Sequence, residues 1–190
     1  MDPYRIFIKN MVCERCVCVI ERICQKWQLN VKAVHLGYVE LVRKPTSFDW
    51  EAFEKELKTF GFELLRDHEE LLVEQIKTLL IRKFDQLPVR NERPISAYLS
   101  QSLHRDYSHL SKLFSKRTGT TIEHYFVLLR IEKAKELVSY KEHNFSEIAY
   151  LLGYSSLQHL SNQFKRVTGV SMTQYRKSLQ PPRKMLDEIL

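Results

Sequence analysis

Residues 146–175, SEIAYLLGYSSLQHLSNQFKRVTGVSMTQY, have a twin in the same chain. Residues 96–125, SAYLSQSLHRDYSHLSKLFSKRTGTTIEHY, align with them without a gap. His109-Leu110-Ser111 returns as His159-Leu160-Ser161, Phe114 as Phe164, Thr118-Gly119 as Thr168-Gly169 and Tyr125 as Tyr175, each 50 residues on. A solenoid needs three or more copies, so two copies indicate a duplicated helical unit. In the second copy Ser146 suits a helix N-cap, because its hydroxyl accepts from a first-turn amide that has no partner. Ile148, Leu151 and Leu152 follow at helical spacing, and Gly153 ends that helix where a positive φ costs little. Leu157, Leu160 and Phe164 form the inward stripe of the next helix. A capped helix, a glycine turn and a second helix with a polar outer face is the helix-turn-helix pattern. Gln158, His159, Asn162 and Lys165 stand on that outer face, where side chains reach base edges and phosphates. A single copy favours an ordinary α-hairpin packed in a core; duplication shifts the reading towards DNA.

The first copy departs from the second where its helices join. Leu103 stands at the position of Gly153 and Leu99 at that of Ala149. Its second helix, residues 107–117, is expected to carry Ser108, Ser111, Lys112 and Ser115 outwards. Between the copies, residues 121–140 read as one helix with Phe126, Leu129, Ala134 and Leu137 inward and Arg130, Glu132 and Lys133 interspersed. Five turns at 1.5 Å per residue span about 30 Å, close to the ~34 Å between successive major grooves on one face of a duplex.

Charge follows the same division. Residues 1–70 carry 11 Lys and Arg against 12 Asp and Glu, whereas residues 71–190 carry 19 against 11, so all of the net +7 belongs to the part with the repeat. A polyanionic partner accounts for that asymmetry; a solubilising surface would not divide this way. No apolar run reaches the ~20 residues of a membrane span, and the start, Met1-Asp2-Pro3-Tyr4-Arg5, lacks the layout of a signal peptide. A cytoplasmic protein without a membrane partner is expected. The five glycines include no phosphate-cradling loop, and no nucleophile-base or paired-carboxylate constellation stands out, so an enzyme is not expected.

Residues 1–66 have another character. Tyr4 to Lys9 alternates, with Ile6 and Ile8 on one face and Arg5 and Lys9 on the other, as in a half-buried strand. Val17, Ile20, Cys24 and Trp27 recur at helical spacing. Residues 31–36 and 39–42 flank Gly37-Tyr38 as a hairpin. Ser47 suits the N-cap of a further helix, with Asp49 and Glu51 in its first turn and Trp50, Phe53, Leu57 and Phe60 as its apolar stripe. Gly61 stops that helix and residues 62–65 close as a strand. The order β-α-β-β-α-β is that of a split βαβ, or ferredoxin-like, sandwich. The fold class expected is therefore α+β: this sandwich over 1–66, a connecting helix and loop over 67–92, a double helix-turn-helix over 93–178 and a solvated tail over 179–190 with Pro181-Pro182.

The four cysteines, Cys13, Cys16, Cys18 and Cys24, crowd into twelve residues. In a reducing compartment such a cluster points to metal or redox chemistry rather than structural disulfides. Cys13 and Cys16, one in a loop and one opening a helix, can converge on one soft ion such as Cu(I) or Zn(II). The helix N-terminus and Arg15 are expected to lower the pKa of Cys16. Cys18 is a conceivable third ligand, and Cys24, on the buried stripe, an apolar filler.

Two family resemblances follow from these residues. Met11-Val12-Cys13-Glu14-Arg15-Cys16, between the first strand and first helix, resembles the loop of the heavy-metal-associated domain of copper chaperones and metal-pumping ATPases. The resemblance implies Cys13 and Cys16 as thiolate ligands and Met11 as a buried support; Asn10 stands where that family usually has glycine. Leu110-Ser111, Phe114, Thr118-Gly119, Tyr125, Arg130-Ile131-Glu132, Ala134, Ile148-Ala149, Gly153-Tyr154-Ser155, Phe164-Lys165, Gly169 and Tyr175 resemble the DNA-binding domain of the AraC family of bacterial transcription regulators, over residues 74–178. That resemblance implies base contacts from Ser108, Ser111, Lys112, Gln158, His159 and Asn162. It implies phosphate contacts from Lys116, Arg117, Lys165 and Arg166, which position without specifying. Double-stranded DNA is the expected partner, with RNA polymerase and a homodimer beside it. The alternatives are a redox-sensing regulator using the same cysteines, and a metal chaperone that binds DNA incidentally.

Overall fold

The computed structural model describes residues 4–89, 93–178 and 189. The chain divides into two compact units, residues 1–78 and 79–190. The boundary falls within one helix, α3 (His68–Arg82).

The N-terminal unit runs β1 (Tyr4–Lys9), α1 (Glu14–Lys26), β2 (Val31–His35), β3 (Tyr38–Leu41), α2 (Trp50–Thr59) and β4 (Glu63–Leu65). The sheet has the order β2-β3-β1-β4, and every neighbouring pair is antiparallel. The alternation read in β1 is realised: Ile6 and Ile8 are buried, while Arg5 bonds Glu40 through Nε at 3.0 Å and Nη2 at 2.7 Å. Both helices close one core with the sheet, α1 through Ile20, Ile23 and Cys24 and α2 through Phe53 and Leu57. Trp27 seals its edge, ring against Phe53 and indole N–H donated to Glu56 at 2.7 Å.

Two details differ from expectation. The N-cap of α2 is Asp49, whose carboxylate accepts from the Ala52 amide, and Ser47 lies outside the helix. Phe60 is 54% exposed, and Phe62 fills the core in its place. Gly61 takes φ +80 and turns the chain between them, so the helix ends at Thr59 and its buried stripe at Leu57.

The second unit is helical: α4 (Ile95–Leu103), α5 (Tyr107–Thr118), α6 (Ile122–Tyr140), α7 (Phe145–Leu151), α8 (Leu157–Thr168) and α9 (Met172–Lys177). The expected loop over Asn91-Glu92-Arg93-Pro94 lies partly, and the solvated tail at Pro181-Pro182 wholly, outside the described residues. Helices α5 and α8 share their boundaries 50 residues apart. Each ends on a left-handed glycine, Gly119 or Gly169. In each, the last threonine donates to the carbonyl four residues back, Thr118 to Phe114 and Thr168 to Phe164, both at 2.8 Å. The next helices are capped by Thr121 and Ser171. The rings of Phe114 with Tyr125, and of Phe164 with Tyr175, then lie at 5.6 and 5.4 Å. The expected capping box of Ser171 with Gln174 is present. The cap of α7 is instead Asn144, boxed with Glu147, and Ser146 is already helical.

Helix α6 is buried along most of its 19 residues, which suits a strut between two packed layers. Its N-terminal half receives the first copy, through Tyr125. Its C-terminal half, Ile131, Ala134, Leu137 and Val138, enters one core with α7, α8 and α9. At about 100° per residue, Tyr125 and Ala134 lie on opposite sides of the helix, so the two copies flank it. Glu132 and Lys135 are buried there as an ion pair at 2.6 Å.

Candidate functional site

On α5, Ser108, Lys112, Lys116 and Arg117 are exposed and Ser111 is half-buried. The N-cap Asp106 accepts from the Ser108 amide at 2.8 Å, and the Ser108 hydroxyl bonds the same carboxylate. Ser108 thus helps to start the helix as well as standing on its outer face. On α8, Gln158, His159, Asn162, Lys165 and Arg166 are all exposed. Gln158 Nε2 donates to Asn162 Oδ1 at 2.8 Å, so two expected base readers form one pair. Lys116 and Arg117 in α5, and Lys165 and Arg166 in α8, occupy last turns, where cations also favour the helix dipole.

Sequence reasoning gave no role to the residues that hold these helices. Tyr154, just ahead of α8, donates its hydroxyl to Gln163 Oε1 at 2.6 Å and meets the His159 ring edge-on at 5.3 Å. The Arg130 guanidinium of α6 sits over the Tyr154 ring at 5.1 Å and over Phe126 at 4.6 Å. Burial pushes the Tyr154 hydroxyl up to about 12, against the pull of Arg130, so it remains a donor at neutral pH. The first copy uses another tether, Tyr107 donating to Glu123 at the start of α6. Both contacts join residues far apart in the chain, and no local pattern announces them.

In the N-terminal unit, Cys13 is the N-cap residue of α1 and Cys16 lies in its first turn. Their Sγ atoms are 3.6 Å apart, Cys13 exposed and Cys16 half-buried. Asn10 takes φ +69, the left-handed backbone that glycine would accept more readily. Its side-chain amide donates to the Gly61 carbonyl at 2.9 Å, tying the cysteine loop to the turn before β4. Met11 is buried beneath the loop. The expected lowering of the Cys16 pKa is not found. Burial raises it, outweighing backbone hydrogen bonds at Val12 and Cys13, and the neighbouring Cys13 raises it further. Cys24 is fully buried and pushed up to about 12, in keeping with a filler. Cys18 is exposed and does not complete a ligand set: among the described residues no group of three or more His, Cys, Asp or Glu is placed to hold an ion. Among the same residues, no helix is long and apolar enough to cross a membrane.

A family model described as a helix-turn-helix domain matches residues 99–178. The solved C-terminal domain of AraT, a response regulator from Geobacillus stearothermophilus, superposes with a TM-score of 0.51 at 26% identity, covering 58% of this chain and 88% of that one. Residues 99–178 form a helix-turn-helix domain. Over 108 residues, 57% of the chain, it is 29% identical to a probable transcriptional regulator, LumQ, of Photobacterium leiognathi, of which 43% is covered. Over 81 residues it is 33% identical to the raffinose operon transcriptional regulatory protein RafR of Pediococcus pentosaceus, covering 43% of this chain and 29% of that protein. The chain spans less than half the length of these curated relatives.

Proposed function

We propose that the chain is a transcription regulator that binds double-stranded DNA through α5 and α8, each entering a major groove, and that a soft metal ion on Cys13 and Cys16 modulates the binding. The observation that carries the first part is the duplicated geometry itself. Two helices of equal length and register flank one strut and carry their polar, basic faces outwards. Ser108, Ser111, Lys112, Gln158, His159 and Asn162 read bases, while Lys116, Arg117, Lys165 and Arg166 meet phosphates. The length of α6 supports engagement of adjacent turns of the duplex. RNA polymerase at the same DNA is the machinery such a regulator acts on, and a homodimer would double the number of readers.

The N-terminal unit is read as ferredoxin-like, since two interleaved βαβ units produce its strand order. Two thiolates each about 2.3 Å from one ion, at a tetrahedral angle, stand about 3.8 Å apart; the 3.6 Å between Cys13 and Cys16 suits that with little movement. Two thiolates select a soft ion such as Cu(I) or Zn(II), and a structural zinc site would need two further ligands. A bound ion supplies positive charge and holds both sulfurs as thiolates. Asn10, through Gly61, connects the loop that holds them to β4 and so to the chain entering α3.

The same separation favours a second reading, a redox switch. The two sulfurs need to close to about 2.05 Å for a disulfide, with two electrons and two protons passing to an oxidant such as peroxide. Selection of bound fragments from random duplex DNA, with and without Cu(I) or Zn(II), tests the proposal. The expected result is an enriched sequence whose yield depends on metal in the wild type and not in Cys13→Ser/Cys16→Ser. Enrichment that ignores both metal and the substitution removes the metal part. Mass spectrometry under mild peroxide then separates the redox reading, and binding without sequence choice but with steep salt dependence favours a chaperone.

A further inference from the structure

We propose that Gln158 and Asn162 read one adenine together, so that the second helix-turn-helix unit fixes an A·T pair in the bound DNA. This rests on the DNA-binding reading above and adds the base that is recognised.

Gln158 is the second residue of α8 and Asn162 stands one turn on, both exposed. The N-terminal residues of a recognition helix are those that meet base edges. Their mutual hydrogen bond at 2.8 Å uses the amide donor of Gln158 and the carbonyl of Asn162. That bond leaves the Oε1 acceptor of Gln158 and the Nδ2 donor of Asn162 unused, on two exposed side chains. Adenine shows the complement in the major groove, an N6 donor beside an N7 acceptor. Guanine shows two acceptors, so O6 would face Gln158 Oε1 with no proton between them. Cytosine offers only the N4 donor, and thymine only the O4 acceptor and its methyl group. Each of these leaves half of the pair unsatisfied, at the cost of burying a polar group without a partner.

The frame behind the pair is fixed. Ser156 caps α8 on the His159 amide, Tyr154 donates to Gln163, and Arg130 lies over Tyr154. The first copy has no counterpart. Ser108 and Lys112 occupy the repeat positions of Gln158 and Asn162, a hydroxyl committed to Asp106 and a lone cation. His104, at the position of Tyr154, is exposed. An adenine-specific head exists on α8 alone.

The test measures affinity of the full chain for its selected duplex and for the duplex with the A·T pair under α8 changed to G·C. Wild type, Gln158→Ala, Asn162→Ala and the double variant are compared, and circular dichroism melting checks that each is folded. Wild type should lose roughly 5- to 150-fold on the exchange. Either single variant should lose most of that discrimination at the same base pair, and the double variant little more, because the two amides act as a unit. The proposal is overturned if the single variants relax different base pairs, if either keeps full discrimination, or if wild type prefers guanine there. Failure to enrich any sequence would instead overturn the DNA-reading function beneath it.

Discussion

The two helix-turn-helix copies agree after their recognition helices and disagree before them. Behind α5 and α8 the same parts recur: a threonine bonded four residues back, a left-handed glycine, a hydroxyl cap and a tyrosine on a phenylalanine. Ahead of them, three residues link α4 to α5 and five link α7 to α8. His104 takes the left-handed backbone in one turn and Gly153 in the other. One helix starts on Asp106 and the other on Ser156. The downstream joint is a packing requirement, since it sets the buried ring pair against the next helix. The upstream joint sets how each recognition helix is rotated and held, and the two copies solve that differently.

The strongest way to break the equivalence is through the shared joint. Phe114 and Phe164 are both fully buried, so Phe114→Ala and Phe164→Ala should each cost about 3–5 kcal/mol. Urea unfolding followed by far-ultraviolet circular dichroism reads this. A loss confined to one of the two variants would mean that the repeat is only a likeness of sequence.

The turns should respond with opposite sign. Gly153 has φ +70, and an alanine there would be forced into the left-handed region at about 1–2 kcal/mol. His104 already bears that strain at φ +51, so His104→Gly should be neutral or stabilising within about 1 kcal/mol. The same denaturation series decides it, and a clear destabilisation by His104→Gly would show that the imidazole does more than tolerate the turn. Next in size, Ser156→Ala removes the cap of α8 and should cost about 1 kcal/mol. A change below the scatter of the measurement would mean that Tyr154 and Gln163 hold the helix start without the cap.

These differences also mark where the sequence was legible. The repeat was visible because buried phenylalanine, glycine and tyrosine must recur at fixed spacing for the downstream joint to pack. The alternation of β1 and the glycine stop at Gly61 were visible for the same reason. Caps were less so: Ser146 and Ser47 resemble the true caps Asn144 and Asp49 in chemistry, and only the bonded amide distinguishes them. The first turn was hidden because histidine can adopt a glycine-like backbone without announcing it. The Arg130–Tyr154–His159 contact and the burial that raises Cys16 depend on tertiary neighbours, about which spacing is silent.

The smallest predicted effect separates the copies most cleanly. The carboxyl of Asp106 is held below its usual range, first by the Ser108 hydroxyl and then by the amides of Ser108 and His109. A carboxylate depressed in the folded state contributes stability that is complete above its unfolded pKa, about 3.9, and is lost as pH falls through the folded value. Ser156 has no proton to gain in that window. Acidification from about pH 5 should therefore loosen the start of α5 while the start of α8 holds, as read from the Ser108 and His159 amide resonances. Glu123 is also depressed, by the Tyr107 hydroxyl, and would protonate nearby. Asp106→Ser resolves the ambiguity. It supplies the first copy with the cap of the second, and the Ser108 resonance should then become indifferent to acid. If it still moves, the acid sensitivity belongs to the Tyr107–Glu123 tether, and that contact, rather than the cap, governs how the first recognition helix is held.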